Sequence, residues 1–263
     1  MKKEDRLKLF SRELSYIKDN NYREFCEKLI EDANEYFFHQ PASSTGKYHP
    51  AFSNGNGGLL RHTKAVVYFL NELLRAETEF KDSIITPQKH DMMIVAAICH
   101  DIKKYGDSDS GDIYTSKDHA ETGAKYIESM HVKYPMISDE DSKFITDLVR
   151  THMGPWSSPA PSTPEQKLLF YADYIASRKD IMGLEFLEGE DTNISSDGWV
   201  PPVEAPSEPL SSDTYVFNFG KTKGMTLKES YEKEPGYLRW LAGVPDFSKP
   251  DVQNLVKEFL KTV

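Results

Sequence analysis

Ile94-Val95-Ala96-Ala97-Ile98-Cys99-His100-Asp101-Ile102-Lys103-Lys104 is the stretch that decides how this chain folds. Its first six residues belong to the longest uninterrupted apolar run, Met92 to Cys99. Apolar residues on every side of a helical run mean a helix buried among others, here expected from about Lys89 to Ile102. His100 and Asp101 therefore fall where a buried helix nears its end. Imidazole and carboxylate together suit Mn, Fe, Zn and related ions, and one carboxylate can bridge two ions through its two oxygens.

Working outward, apolar residues keep helical spacing to about residue 181. Phe10, Leu14 and Ile17 mark a first helix; Phe25, Leu29, Ala33 and Phe37 mark a second. His39 to Gly58 is too rich in Pro, Ser, Asn and Gly to be regular, and a long loop inside a compact domain is usually functional or disordered. Helical patterning resumes at Leu59, with further helices expected at about Asp118 to Met130, Asp139 to Thr151 and Pro164 to Ile181. Ser138 before Asp141, and Thr163-Pro164 before Gln166, carry the residue types that open helices. Residues 1–181 are thus expected to form one all-α domain.

Between Met182 and Ser212 seven acidic residues and four prolines occur without a Lys or Arg, the signature of a linker over 182–212. Beyond it, Tyr215-Val216-Phe217-Asn218-Phe219 alternates like a short strand, Gly220 to Gly224 reads as a turn, and Leu227 to Trp240 and Val252 to Phe259 read as helices. A small α+β domain is expected over 213–263, making the chain mainly α overall.

The net charge of -10 over 263 residues argues against a protein that coats nucleic acid by neutralising phosphates, but it does not exclude a nuclease. Bound dications and a few local Lys or Arg can hold a phosphate in an acidic field. A charged N-terminus without an apolar stretch, and no run near the roughly 20 residues that a membrane helix needs, point to the cytosol. Cys26 and Cys99 each lie in a sequence that reads as a buried helical face, so two reduced core thiols are expected rather than a disulfide.

His100-Asp101 has companions: His62 after Gly57-Gly58-Leu59-Leu60-Arg61, His119, His152 after Leu148-Val149-Arg150, and Asp173. This order resembles the HD superfamily of metal-dependent phosphohydrolases, in which a His, a His-Asp pair and a distal Asp lie on one helical bundle. Gly57 to Thr63 resembles the Gly-Gly-Leu-x-x-His-(Ser/Thr) segment of exoribonuclease-related members, and Phe37 to Ser43 with Tyr48-His49-Pro50 the segment leading into it. His100-Asp101-Ile102-Lys103-Lys104 is similar to the family's His-Asp-Ile-Gly-Lys, with Lys103 in place of Gly. The resemblance implies an HD-type helical bundle in which His62, His100, Asp101 and Asp173 hold one divalent ion. If His119 and His152 act as in two-metal members, they hold a second ion with Asp101; otherwise each is a solvated helix-end residue. Mn or Fe is favoured, with Mg, Ni, Co or Zn as alternatives.

Phosphoryl transfer adds negative charge, which fixed cations stabilise. Lys104 is the first choice for that role, with Arg61, Arg150 and Arg178 after it or, alternatively, in surface ion pairs. His39 and His49 are candidates to line the site; His90 and His131 read as surface residues. Phe217 to Leu227 with Pro235 to Leu241 resembles the small C-terminal domain beside exodeoxyribonuclease X-like nucleases. There Lys221 and Lys223 flank a turn suited to substrate binding, and Tyr237 or Trp240 could stack on an unpaired base. The alternative is that Tyr237, Leu238, Trp240 and Leu241 form the core of a tiny domain, the favoured reading for Trp240. Three functions follow: a phosphodiesterase or exonuclease on single-stranded nucleic acid, a hydrolase of nucleoside phosphates or cyclic nucleotides, and a catalytically idle nucleic-acid-binding adaptor. Oligomeric state is not legible.

Overall fold

Helix α5 (Pro87–Cys99) is buried continuously from Asp91 to Cys99, as its apolar run requires. Thr86 caps it by accepting from the Lys89 amide, and Pro87 opens its first turn. The computed structural model describes residues 1–46, 49–178, 215–217, 220–244 and 250–263. The chain divides into two compact units, Met1–Val203 and Glu204–Val263. The acidic Pro-rich stretch expected as a linker over 182–212 lies outside the described residues.

In the first unit α5 packs against α2 (Ser11–Tyr16), α3 (Asn20–Glu31), α4 (Gly58–Thr78), α7 (Asp139–Thr151) and α8 (Pro164–Ala176). The amphipathic α6 (His119–Lys133) closes the bundle against α7 and α3, and α1 (Lys3–Leu9) packs on α3. Phe25, Leu29, Phe37, Val66, Leu70, Ile94, Ile98, Ile145 and Val149 belong to one continuous core. The expected caps form: Ser138 accepts from the Asp141 amide, and Thr163 and Gln166 make a reciprocal capping box. The helix expected to reach Ile181 ends at Ala176. Phe10 interrupts the expected first helix, and Phe37 falls in a 3-10 turn, Glu35–Phe38, rather than in α3.

The Gly57-Gly58 pair places α4. Gly57 has φ 70°, and a Cβ on Gly58 would stand 2.2 Å from the Ser53 carbonyl oxygen, so only glycine lets the 39–58 loop cross the helix start. Main-chain bonds from Gly57 to His39 and from Leu59 to Gln40, both 2.8 Å, hold that crossing.

The second unit contains α9 (Leu227–Lys233), α10 (Pro235–Gly243) and α11 (Pro250–Phe259) around Phe217, Leu227, Leu238, Leu241, Val252 and Val256. Two sequence expectations change here. The strand reduces, among the described residues, to one antiparallel bridge between Val216 and Thr226, because the Gly220–Gly224 turn returns the chain at once into α9. The helix expected from Leu227 to Trp240 breaks before Pro235, which has no amide hydrogen to continue it. Leu238 and Leu241 share the inner face of α10, which puts Trp240 outward at 58% exposure rather than in the core.

Both cysteines are buried free thiols, as expected. No described helix is long and apolar enough to cross a membrane.

Two residues beyond His62, Lys64 is buried with its ammonium 2.7 Å from Glu13 Oε2 of α2 and bonded to the Leu9 carbonyl. This ion pair pins α2 to the helix that carries His62. Glu13→Ala, which strands the buried charge, should lower unfolding free energy in urea by about 3–5 kcal/mol. The double variant Glu13→Leu/Lys64→Met should recover most of that loss.

Candidate metal centre

Five helices bring six polar side chains to one buried point. His62 comes from the second turn of α4, and His100 from the C-cap of α5 with Asp101 next to it. His119 opens α6, His152 caps the end of α7, and Asp173 lies in α8. His100, Asp101, His119 and His152 stand at helix ends, and the buried helix bodies fix their positions.

The six fall into two sets, His62, His100, Asp173 and Asp101, His119, His152. In the first, His62 Nε2 lies 3.1 Å from Asp173 Oδ1 and 3.4 Å from His100 Nε2. In the second, His119 Nε2 lies 3.2 Å from both His152 Nε2 and Asp101 Oδ1. Asp101 joins the sets: its Oδ2 is 3.4 Å from His100 Nε2 and 3.6 Å from His62 Nε2, while Oδ1 faces His119 and His152.

Three rings are oriented alike. The Nδ1–H groups of His100, His119 and His152 donate to the carbonyls of Ala97, Ser116 and Val149, each at 2.7 Å. A ring that donates from Nδ1 in its neutral form presents a lone pair at Nε2, the arrangement used by metal-ligating histidines. Lone pairs then face lone pairs and carboxylate oxygens, and Asp101 Oδ1 is buried without a hydrogen-bond partner. A cation resolves that conflict. Ligand bonds of about 2.0–2.2 Å put neighbouring ligand atoms about 3–3.5 Å apart, close to the observed spacing. The residues present fit one or two divalent ions.

The local electrostatics agree for two of the rings. Burial pushes His62 and His152 below the ordinary imidazole pKa, favouring the neutral ligand form. Burial opposes the charge on His100 too, but Asp101 and Asp173 outweigh it and the net shift is upward. Burial would raise Asp101; the Lys104 ammonium, then His100 and His119, hold it well below the usual carboxylate range. Asp173 is likewise held low by His62 and His100 against burial.

A cavity of about 480 Å³ opens beside the sets. Its lining combines the polar His119, Asp173, Lys104 and His49 with Met153, Trp156, Phe170 and Tyr174, the aromatic wall; Ser177 and Arg178 also line it. Lys104 bonds Asp101 Oδ2, and the Arg178 guanidinium sits 4.2 Å from the Tyr174 ring centre. His49 packs edge-on against His62 at 5.3 Å, and burial depresses its pKa to about 3.

The other candidates lie elsewhere. Arg61 donates to the Phe52 and Asn54 carbonyls and braces the loop before α4. Arg150 is held by Glu121, Glu128 and Asp147. His39 pairs with Glu35, His90 bonds Asn71 and Asp91, and His131 pairs with Asp139. Lys103 donates to Asn34 and lies 4.7 Å from the Tyr126 ring centre, tying the turn to its neighbours. In the second unit Lys221 pairs with Glu234, and Lys223 is exposed. Sequence reasoning missed the aromatic wall. Its signal was the spacing of Phe170, Asp173, Tyr174 and Ser177, which puts all four on one face of α8.

Comparison with known proteins agrees with this geometry. Residues 59–178 match the HD domain family, whose members bind divalent metals, and the span runs from the start of α4 to just past α8. The chain is also similar to exodeoxyribonuclease 10 of Escherichia coli strain K12 and of Escherichia coli O6:H1, 31% identical to each over 68 residues. That is 26% of this chain, which spans about a third (31%) of the length of these curated relatives. No solved structure matches significantly.

Metal-free protein titrated with Mn should unfold at a higher temperature, by about 2.7 kcal/mol of added stability at a hundredfold excess over Kd. Asp101→Ala should abolish the shift in differential scanning calorimetry; an undiminished shift would place the ion elsewhere.

Proposed function

We propose that the HD domain at residues 59–178 is the catalytic part of a metal-dependent phosphohydrolase that cleaves phosphodiester bonds in single-stranded nucleic acid. The observation that carries this reading is the buried Asp101 carboxylate, divided between two imidazole sets at the edge of a cavity that also presents Lys104. In this reading His62, His100, Asp101 and Asp173 hold one ion, and Asp101, His119 and His152 a second. The family resemblance favours Mn or Fe, with Mg, Ni, Co and Zn as alternatives, and a mixed imidazole and carboxylate set admits ions of this kind.

Bound to these residues, dications would supply hydroxide at neutral pH and polarise phosphoryl oxygens. The chain's own groups set the rest. The three carbonyl-anchored imidazoles keep their Nε2 atoms aimed inward. Lys104 places a positive charge against the cavity, where a phosphoryl group gains negative charge as it is attacked, so it favours the transition state over the ground state. Arg178 offers a second cation on the cavity lining. Burial of Asp101 and the four imidazoles keeps bulk water from screening these charges.

Two features support a polynucleotide substrate. The similar curated proteins are named exodeoxyribonucleases, although only part of each is matched. In the second unit the exposed Trp240 stacks on the half-buried Tyr237 at 5.6 Å with an interplanar angle of 26°, in the same small unit as Lys223. Such a pair accepts any unpaired base, because every base has a π face. Domain limits of 1–181 and 213–263 separate this binding unit from the hydrolytic one in the same proposal.

A panel of single-stranded DNA, RNA, deoxynucleoside triphosphates and cyclic nucleotides, assayed with Mn, tests the reading. Single-stranded DNA should be cleaved fastest, and metal-free protein should be inactive. Lys104→Ala should lower kcat about 10²–10³-fold. Full activity without metal would overturn the hydrolase; preference for a triphosphate would overturn the polynucleotide substrate. Deleting 205–263 should weaken action on oligonucleotides while sparing a small phosphodiester.

A further inference from the structure

The geometry points to a nucleobase subsite: the wall formed by Trp156, Phe170 and Tyr174 stacks one unpaired base of the nucleotide whose phosphate lies against Lys104, beside the candidate metal sets. The inference rests on the phosphohydrolase reading and adds what the site recognises beyond phosphate.

Its basis is the mixed lining of the cavity, where His119, Asp173 and Lys104 stand with Met153, Trp156, Phe170 and Tyr174. Catalysis at phosphorus requires nothing of an aromatic wall, yet Trp156 is 71% exposed and Tyr174 is 40% exposed while both face this cavity. Leaving such rings in water costs hydrophobic free energy that a stacked partner would return.

Local structure fixes the wall. Phe170, Tyr174 and Asp173 share one face of α8, so the residue that joins the first ligand set also sets its distance from the rings. Gly154, at φ 66°, brings the Gly154–Trp156 turn onto Phe170: a Cβ there would meet the ring at 2.3 Å. Phe170 and Tyr174 lie 5.7 Å apart. The Arg178 guanidinium lies over the Tyr174 ring, 4.2 Å from its centre, so a cation already covers one face of that ring.

The occupant follows from these chemistries. It has a flat aromatic part for the wall and an anion for Lys104, and it fits about 480 Å³, within the usual range for small-ligand sites. A single nucleotide unit at a strand end meets all three conditions. A base paired in a duplex does not, since its faces are already stacked on its neighbours. The wall thus selects unpaired ends without reading sequence.

The test uses metal-loaded full-length protein and two uncleavable probes: a phosphonate analogue of deoxyadenosine monophosphate, and the same sugar phosphonate without the base. Calorimetry should show the base-bearing probe binding roughly ten- to a hundredfold more tightly. That ratio should fall toward one in Trp156→Ala and be largely restored in Trp156→Phe. Wild-type tryptophan emission should be quenched by the base-bearing probe, and most of this quenching should vanish in Trp156→Phe, which keeps stacking but removes the fluorophore.

An unchanged ratio in Trp156→Ala would overturn the subsite and leave the phosphohydrolase reading standing. Failure of both probes to bind would remove the phosphate site and the subsite together. A change in sedimentation of Trp156→Ala, with no change in the ratio, would make the wall an interface between copies and overturn the proposal.

Discussion

One buried carboxylate organises this protein. Asp101 presents Oδ2 to His62 and His100 and Oδ1 to His119 and His152, so each oxygen faces imidazole nitrogens contributed by different helices. A charge so buried persists only if opposite charge surrounds it. Lys104 supplies part of that charge, and the lone pairs aimed at the same point call for a cation to supply the rest. The requirement reaches back through the bundle. The apolar sides of α5 deliver Asp101 to the interior, Gly57-Gly58 lets α4 start where His62 can meet it, and the Glu13–Lys64 pair locks α4 in place.

The helical fold was legible because its signals are local. The run Met92–Cys99, the Thr163 capping box and the Gly-Gly pair each act within a few residues, and each produces what its chemistry dictates. Boundaries failed where tertiary packing intervened, as at Phe10, or where a single residue was underweighted, as at Pro235. The six cation-binding candidates were found because His and Asp placed at the ends or on the buried faces of helices are conspicuous. Their division into two sets was implied only by family resemblance, because Asp101's orientation depends on five helices at once.

Surface charge was harder to read. Arg61, Arg150 and Arg178 look equivalent in sequence, behind Lys104, yet their partners separate them. Arg150 is surrounded by three carboxylates brought from α6 and its own helix, and Arg61 is spent on two loop carbonyls. Only Lys104 and Arg178 reach the cavity. Aromatic residues misled in the opposite sense: Trp240, taken as core, faces outward because Leu238 and Leu241 already claim the inner side of α10. Trp156 gave no sequence signal, since its place depends on the turn at Gly154 and on α8 lying opposite.

The two units divide the chemistry as their compositions suggest. The first concentrates His, Asp and buried helix; the second offers a small core with an exposed Trp240 stacked on Tyr237 and no comparable cluster among its described residues. Whether Asp101 bridges two ions is decided most directly by anomalous diffraction at the Mn edge from crystals grown with Mn. Two peaks should appear, one bounded by His62, His100, Asp173 and Asp101 Oδ2, the other by Asp101 Oδ1, His119 and His152. Absence of any peak in contact with Asp101, with Mn bound only at exposed carboxylates, would contradict the account.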